Sequence, residues 1–308
     1  QAKAKVLGRC IQREWWLDHE GLFADMRASI HEVRTTLDRI AQQARTVDAA
    51  DFQHQVQKAH EVLAPELARY AGQAPDMELP WLLRHWIVLC PIEVGLATRE
   101  QAARALARLT SAEFCNAWGM RLHPERDDVM SINTGLLALA LTRYGDVDTA
   151  LRFVQQQAAA LPLHMLGAIS EALPDRWCFL QLWSALGVIA PVVEGFLGIA
   201  PRATERRLAV IPNLPAGWDR VTLERLRVGE AQFDIAVERS ATHYRVEVTS
   251  TEDFQMRIGA YLPAVAHIVE VRLNDQPVAW HREDILAGHC IVCEAMTPAV
   301  LCVHYGMV

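Results

Sequence analysis

The sequence has little that would serve an anionic polymer, a membrane or an oxidising compartment. It carries 30 Lys and Arg against 37 Asp and Glu, a net charge of −7, and its cations are scattered. No basic stripe is available to a phosphate backbone, so nucleic acid is not an expected partner. Cysteines number seven, an odd count spread from Cys10 to Cys302. They read as buried thiols of a reducing compartment rather than a disulfide framework, which makes cytoplasm the expected location. No apolar run approaches the ~20 residues of a membrane span, and no charged-then-apolar signal segment opens the chain, so no membrane is expected. A Gly-rich phosphate loop after a strand is missing, as is a G-x-S-x-G nucleophile turn. Cys290 and Cys293 have C-x2-C spacing but no second pair, and the histidines lack ligand spacing, so no metal and no cofactor is expected.

What the sequence does have is apolar content: 51% of 308 residues, with mean hydropathy near zero. That suits a well-packed protein of two structural units. Apolar residues recur at helical spacing from Ala2 to about Leu17, and two polar helices follow over Ser29–Val47 and Asp51–Tyr70, with Asp51 as a cap and the look of a surface pair. The apolar segment Trp81–Leu89, closed by Pro91, belongs in a core. Thr98 caps a helix over Arg99–Leu109, Ser111 starts a short one through Ala117, and Thr134–Tyr144 and Val147–Ala160 form a helical hairpin around Gly145. A last long helix runs from about Cys178 to Leu197. Near residue 205 the texture changes. Phe233–Arg239 and Tyr244–Thr249 alternate as a hairpin, and further strands are expected at 255–261, 268–273, 290–293 and 300–305, the spacing of a sandwich. The fold class is mainly α with a β domain, helical over 1–204 and an antiparallel β-sandwich over 205–308.

One stretch invites chemistry: Gly167-Ala-Ile-Ser-Glu171-Ala-Leu-Pro-Asp175, leading into Trp177-Cys-Phe-Leu-Gln181-Leu-Trp183-Ser184. A carboxylate in a loop before a buried helix has its position fixed and its pKa tuned by that helix N-terminus. Trp177 and Trp183 offer flat apolar faces for sugar rings or for core packing, and Gln181 an amide for hydroxyls. Arg121, with Asp127 and Asp128, lies in a polar loop and either lines a sugar cleft or sits in a solvated charge cluster.

This stretch resembles the glycogen-debranching and amylo-α-1,6-glucosidase group, in which a Ser-Glu loop and a Gln-x-Trp-Ser segment open the last helix of the toroid. Trp15-Trp16 followed by Gly21-Leu-Phe-Ala-Asp25, Asn133-Thr-Gly-Leu with Arg143-Tyr-Gly-Asp146, and Ile211-Pro-Asn-Leu-Pro-Ala-Gly-Trp218 with Leu226-Arg-Val-Gly229 resemble three more segments of that group, in order. The resemblance implies a partial (α/α)6 toroid of the six-hairpin glycosidase type ahead of the sandwich, with the helical pair 29–74 as an insertion. It implies an inverting glycoside hydrolase acting on an α-glucan or related oligosaccharide, with Glu171 as general base and Trp16, Trp177, Gln181 and Trp183 near the sugar. In such enzymes the general acid comes from the earlier half of the toroid. Because Gln1 already lies in a helical pattern, an upstream portion is expected to be missing, and Asp25 is the fallback acid, with a substrate-binding or structural role as the alternative. Two other readings stay open: a toroid-type phosphorylase, and a non-catalytic module of a larger carbohydrate enzyme. An incomplete toroid exposes apolar helix faces, which predicts association with a second copy or with an N-terminal portion.

Overall fold

Local sequence chemistry accounts for most element boundaries in the computed structural model, which describes residues 2–46, 49–163, 167–174, 178, 181–285 and 288–307. The chain divides into two compact units, one of residues 1–133 with 172–175 and the other of residues 134–171 with 176–308.

In the first unit, helix α1 (Ala2–Glu14) is followed by a tight pair of two-residue strands, Trp16–Leu17 and Leu22–Phe23. Gly21 turns between them at φ +66°, a conformation that L side chains rarely adopt. Helices α2 (Ile30–Thr46) and α3 (Ala50–Arg69) then pack as a pair. They do more than coat a surface: Ile30, Val33 and Leu37 of α2 and Leu63 of α3 form one core with the fully buried Trp81. Trp81 is fixed by its Nε1–H, which donates to the Ala28 carbonyl at 2.8 Å, and by the edge of Tyr70 at 5.1 Å. The apolar stripe that does this is narrow, so both helices read as polar. Asp51 lies in the first turn of α3 and makes no cap; Ala49 holds the N-cap position.

After the short helix α4 (Cys90–Glu93), α5 (Arg99–Leu109) begins in a capping box, Thr98 Oγ1 accepting from the Gln101 N–H at 3.2 Å and Gln101 Oε1 from the Thr98 N–H at 3.0 Å. The helix expected from Ser111 is instead a turn leading to the hairpin Cys115–Asn116 and Gly119–Met120. Asn116 makes it so, because its side-chain oxygen accepts the Trp118 N–H at 2.9 Å and competes with helix formation.

The second unit contains most of α6 (Ser131–Arg143), all of α7 (Val147–Ala159) and α8 (Leu182–Ala190), and every strand of the C-terminal region. Asp146 caps α7 by accepting the Thr149 N–H at 3.2 Å. Helix α8 starts four residues later than expected, since Cys178 sits outside it at φ +37°, and it runs into a π-helical turn over Pro191–Phe196. The backbones of α6 and α8 touch where Gly135 meets Gly187: a Cβ on Gly135 would lie 2.1 Å from the Gly187 Cα. Gly135→Ala gains the better helix propensity of Ala, under about 1 kcal/mol, but forces the helices apart at a cost of about 1–3 kcal/mol. We therefore expect a net loss of stability in urea unfolding, and an unchanged midpoint would show that the contact is looser than this.

Two sheets follow. One has five strands, ordered His281–Ile285, Gly288–Met296, Gln255–Pro263, Arg207–Val210 and Ile199–Arg202; the other has six, ordered Arg220–Val228, Ala231–Arg239, His243–Ser250, Ala299–Met307, Ala266–Leu273 and Gln276–Pro277. All pairings are antiparallel except Arg207–Val210 with Gln255–Pro263. Phe233, Ile235 and Val237 of one sheet and Leu208, Val210, Met256 and Ile258 of the other belong to a single apolar core. Each side chain of this kind contributes about 1.5–3 kcal/mol on burial, and a one-residue slip would turn the whole set outward.

A histidine of this unit, His289, lies in the buried stretch of the strand Gly288–Met296. His289 is fully buried and neither ring nitrogen has a hydrogen-bond partner. Burial lowers its pKa, as it does for His85 and for His243, which also stacks on His304 at 4.8 Å. The folded chain therefore resists protonation at these sites while the unfolded chain takes up protons below about pH 6.5, so stability falls as the pH drops through that value. We expect a lower melting temperature at pH 5.5 than at pH 7.5 and a smaller difference in a His289→Leu variant; equal melting at both pH values would contradict this.

Candidate functional site

Glu171 sits on a segment that folds back on itself. Its backbone N–H donates to the Cys178 carbonyl at 3.1 Å, and the Gln181 N–H donates to the Ile169 carbonyl at 3.4 Å. These bonds set Ile169 and Glu171 against Cys178 and Gln181, and Gln181 leads into α8. Ile169 and Ser170 are buried and Glu171 is half-buried, so its carboxyl has a firm base and access to solvent. Gln181 directly precedes α8, and its amide oxygen accepts from the Ser184 hydroxyl. Trp183 is 56% exposed, and with Leu182, Leu186 and Ile189 it gives α8 an apolar outer face at i, i+4 and i+7 spacing. Trp177 lies outside the described residues.

In the other unit, Asp25 ends a short antiparallel pairing of Met26–Ser29 with Glu78–Trp81. Where the ladder stops, its side chain takes over: Oδ1 accepts the Leu83 N–H and Oδ2 the His85 N–H, both at 2.8 Å. Burial raises its pKa while the two N–H donors pull it down, and burial is the larger effect. Asp25 thus holds the 83–85 backbone and lies on the wall of a cavity of about 570 Å³. Leu83, His85 and Ile87 line one side, His54 and Lys58 of α3 another, and His123, Glu125 and Arg126 a third.

The cavity wall is braced by charge pairs. His123 Nδ1 lies 3.0 Å from Glu125, Glu125 also takes the Arg84 guanidinium, and Arg84 reaches Glu113 at 3.4 Å. Glu113 is clasped by Arg108 at 2.8 and 2.9 Å, which holds its carboxyl below the usual range. Trp16 and Arg121 do not line this cavity. Trp16 lies between Phe23, edge-on at 5.0 Å, and the Arg104 guanidinium at 5.4 Å. Arg121 donates to the Pro124 carbonyl at 3.0 Å and lies 3.6 Å from Asp127, closing its own loop.

Of the expected site residues, Glu171, Gln181 and Trp183 form one local group and Asp25 belongs to its cavity, while Trp16 and Arg121 join neither. His85 and His123, read from spacing as ordinary histidines, line the same cavity as Asp25; only tertiary approach across 25 to 126 assembles that wall. Asn133 is fully buried with neither amide atom hydrogen-bonded, an arrangement that costs stability.

No protein-family profile and no curated protein matches the chain. Among solved structures, an α-L-rhamnosidase from Dictyoglumus thermophilum is similar over 90% of this chain and 31% of its own, at 10% identity and a TM-score of 0.43. A structure described as a kojibiose phosphorylase from the human microbiome covers 75% of this chain and 28% of its own, at 10% identity and 0.33. A GH127 β-L-arabinofuranosidase from Geobacillus stearothermophilus T6 covers 91% and 42%, at 12% identity and 0.26. This chain thus spans less than half the length of each of these carbohydrate-active enzymes, and likeness at such scores assigns it neither a fold family nor an activity.

Proposed function

We propose that this chain processes carbohydrate as part of an inverting glycoside hydrolase, with Glu171 as the general base that activates water. The observation that carries the reading is the pair of backbone bonds joining Glu171 to Cys178 and Gln181 to Ile169, which hold the half-buried Glu171 within the Ser-Glu and Gln-x-Trp-Ser pattern of the debranching group. Gln181 and the exposed Trp183 are the sugar-contacting side chains in this reading. Trp16 and Arg121 are engaged in local contacts and hold structure instead. The α-glucan substrate, the toroid and the sandwich belong to the same proposal.

Inversion needs a second carboxyl as acid, typically ~6.5–9.5 Å from the base. Both oxygens of Asp25 are occupied by backbone N–H groups, which suits a structural carboxylate better than a proton donor. That occupancy favours a second reading, a module whose acid is supplied from outside these residues. The apolar face of Leu182, Trp183, Leu186 and Ile189 suits such a supplier, either a second copy or an N-terminal portion; light scattering that finds only monomer, at concentrations up to the solubility limit, would argue against self-association.

The test of class is calorimetric binding and product-resolved chromatography on malto- and isomalto-oligosaccharides, with and without phosphate. Binding, with cleavage unaffected by phosphate, supports the hydrolase reading. Phosphate-dependent turnover indicates a phosphorylase, and absence of binding to any member removes the carbohydrate reading.

A further inference from the structure

A second cluster of chemistry-bearing side chains lies in the first unit, outside the lining of the Asp25 cavity. His19 and Glu20 occupy the turn between Trp16–Leu17 and Leu22–Phe23, and Glu66 projects from the last turn of α3. One ligand-type atom from each lies within 4.8 Å of the other two. His19 Nε2 is 3.0 Å from Glu66 Oε1 and 3.9 Å from Glu20 Oε1.

Each carboxylate is anchored through one oxygen. Glu20 gives Oε2 to Arg108 at 2.6 Å, and the same guanidinium also holds the Glu20 backbone carbonyl at 2.9 Å, leaving Oε1 toward His19. Glu66 gives Oε1 to His19 and, at 3.4 Å, to Arg69, while its Oε2 is buried with no hydrogen-bond partner. The Glu66 side chain is only 5% exposed, so that oxygen lacks the partner a buried polar atom normally has, and a cation would supply one. Arg69 is half exposed and meets Glu66 at a long distance, and Arg108 is already committed to Glu113, so neither cation fills the gap between the three ligand atoms.

We propose that His19, Glu20 and Glu66 bind one divalent transition ion of the zinc class. An imidazole with two carboxylates suits such an ion and not calcium, which takes oxygen ligands alone. Zinc bonds of about 2.0–2.2 Å place tetrahedral ligand atoms about 3.3 Å apart; with the present atoms within 4.8 Å of one another, closure needs a shift of about 1.5 Å or less in Glu20, and bidentate coordination by Glu66 would bring its Oε2 to the ion together with Oε1. Arg108 is the positioning residue that aims Glu20, as outer partners of metal ligands do. The ion ties the end of α3 to the 17–22 turn and so steadies the helix that walls the Asp25 cavity. Nothing in this depends on the proposed glycosidase activity.

The test is zinc chloride titration of the EDTA-treated, dialysed full chain by calorimetry, repeated with cobalt chloride by visible spectroscopy. We expect one zinc per chain, a higher melting temperature with zinc, and cobalt d–d bands without a thiolate charge-transfer band. His19→Ala and Glu20→Gln should each weaken zinc binding about 10-fold or more, while Glu61→Gln, which alters a carboxylate elsewhere on α3, should leave it unchanged. Failure to saturate, unchanged affinity in His19→Ala, or a cobalt–thiolate band placing the ion on cysteines would each overturn the proposal.

Discussion

Glu171→Gln is expected to abolish turnover while leaving carbohydrate binding intact. The amide keeps the shape of the carboxyl and the backbone bond from the Glu171 N–H to Cys178, but it cannot take a proton from water. Loss of a general base lowers the rate by about 10²–10⁴-fold, and a ground-state contact is little changed. Steady-state kinetics should therefore show a fall in kcat with KM near its original value. A variant that retains turnover would move the base elsewhere. One that loses binding and turnover together would make Glu171 a substrate contact or a support of the loop.

The second large effect is on folding. Asp25→Ala removes the acceptor for two backbone N–H groups, those of Leu83 and His85, and leaves both without partners next to the cavity. An unsatisfied donor costs about 1–3 kcal/mol when buried. Both groups are half-buried, and removal of a carboxylate whose ionised form is disfavoured by burial returns part of the loss, so we expect a net destabilisation of roughly 2–4 kcal/mol in urea unfolding. A change below about 1 kcal/mol would mean that water replaces the carboxylate. Because its folded pKa is raised, Asp25 opposes folding more as the pH rises through that pKa, and this opposing contribution disappears in Asp25→Ala. The sign is opposite to that of the buried histidines, which separates the two effects in a pH series.

These residues also show where sequence reasoning succeeds. Alternation from Phe233 to Arg239 placed a strand and its inward face because burial has the same two-residue period. Thr98 announced α5 because capping is local chemistry. The strand Arg220–Val228 was missed because it lies at a sheet edge, largely exposed, with an irregularity between Leu223 and Leu226 where Arg225 takes φ +57°. Asp25 was legible as a noteworthy carboxylate, but its partners stand 58 and 60 residues away and nothing in spacing reveals them. The setting of Glu171 is local by contrast: the two backbone bonds around it join residues within about a dozen positions of each other. The His19, Glu20 and Glu66 cluster follows the same rule as Asp25, since α3 carries Glu66 to the turn from 47 residues further along.

The most direct test of Glu171 as the base is hydrolysis of α-glucosyl fluoride. Its leaving group departs as fluoride with little need of a general acid, so it reports a base even where no acid partner is present. Water attacks the anomeric carbon as the C–F bond breaks, and the proton lost by the water passes to Glu171. Fluoride release followed with an ion-selective electrode, and the product anomer followed by proton NMR, should show β-glucose appearing first and should fall by about 10²-fold or more in Glu171→Gln. Fluoride release no faster than the buffer, or release unchanged by the substitution, would contradict the assignment of Glu171 as the base of a carbohydrate-processing site.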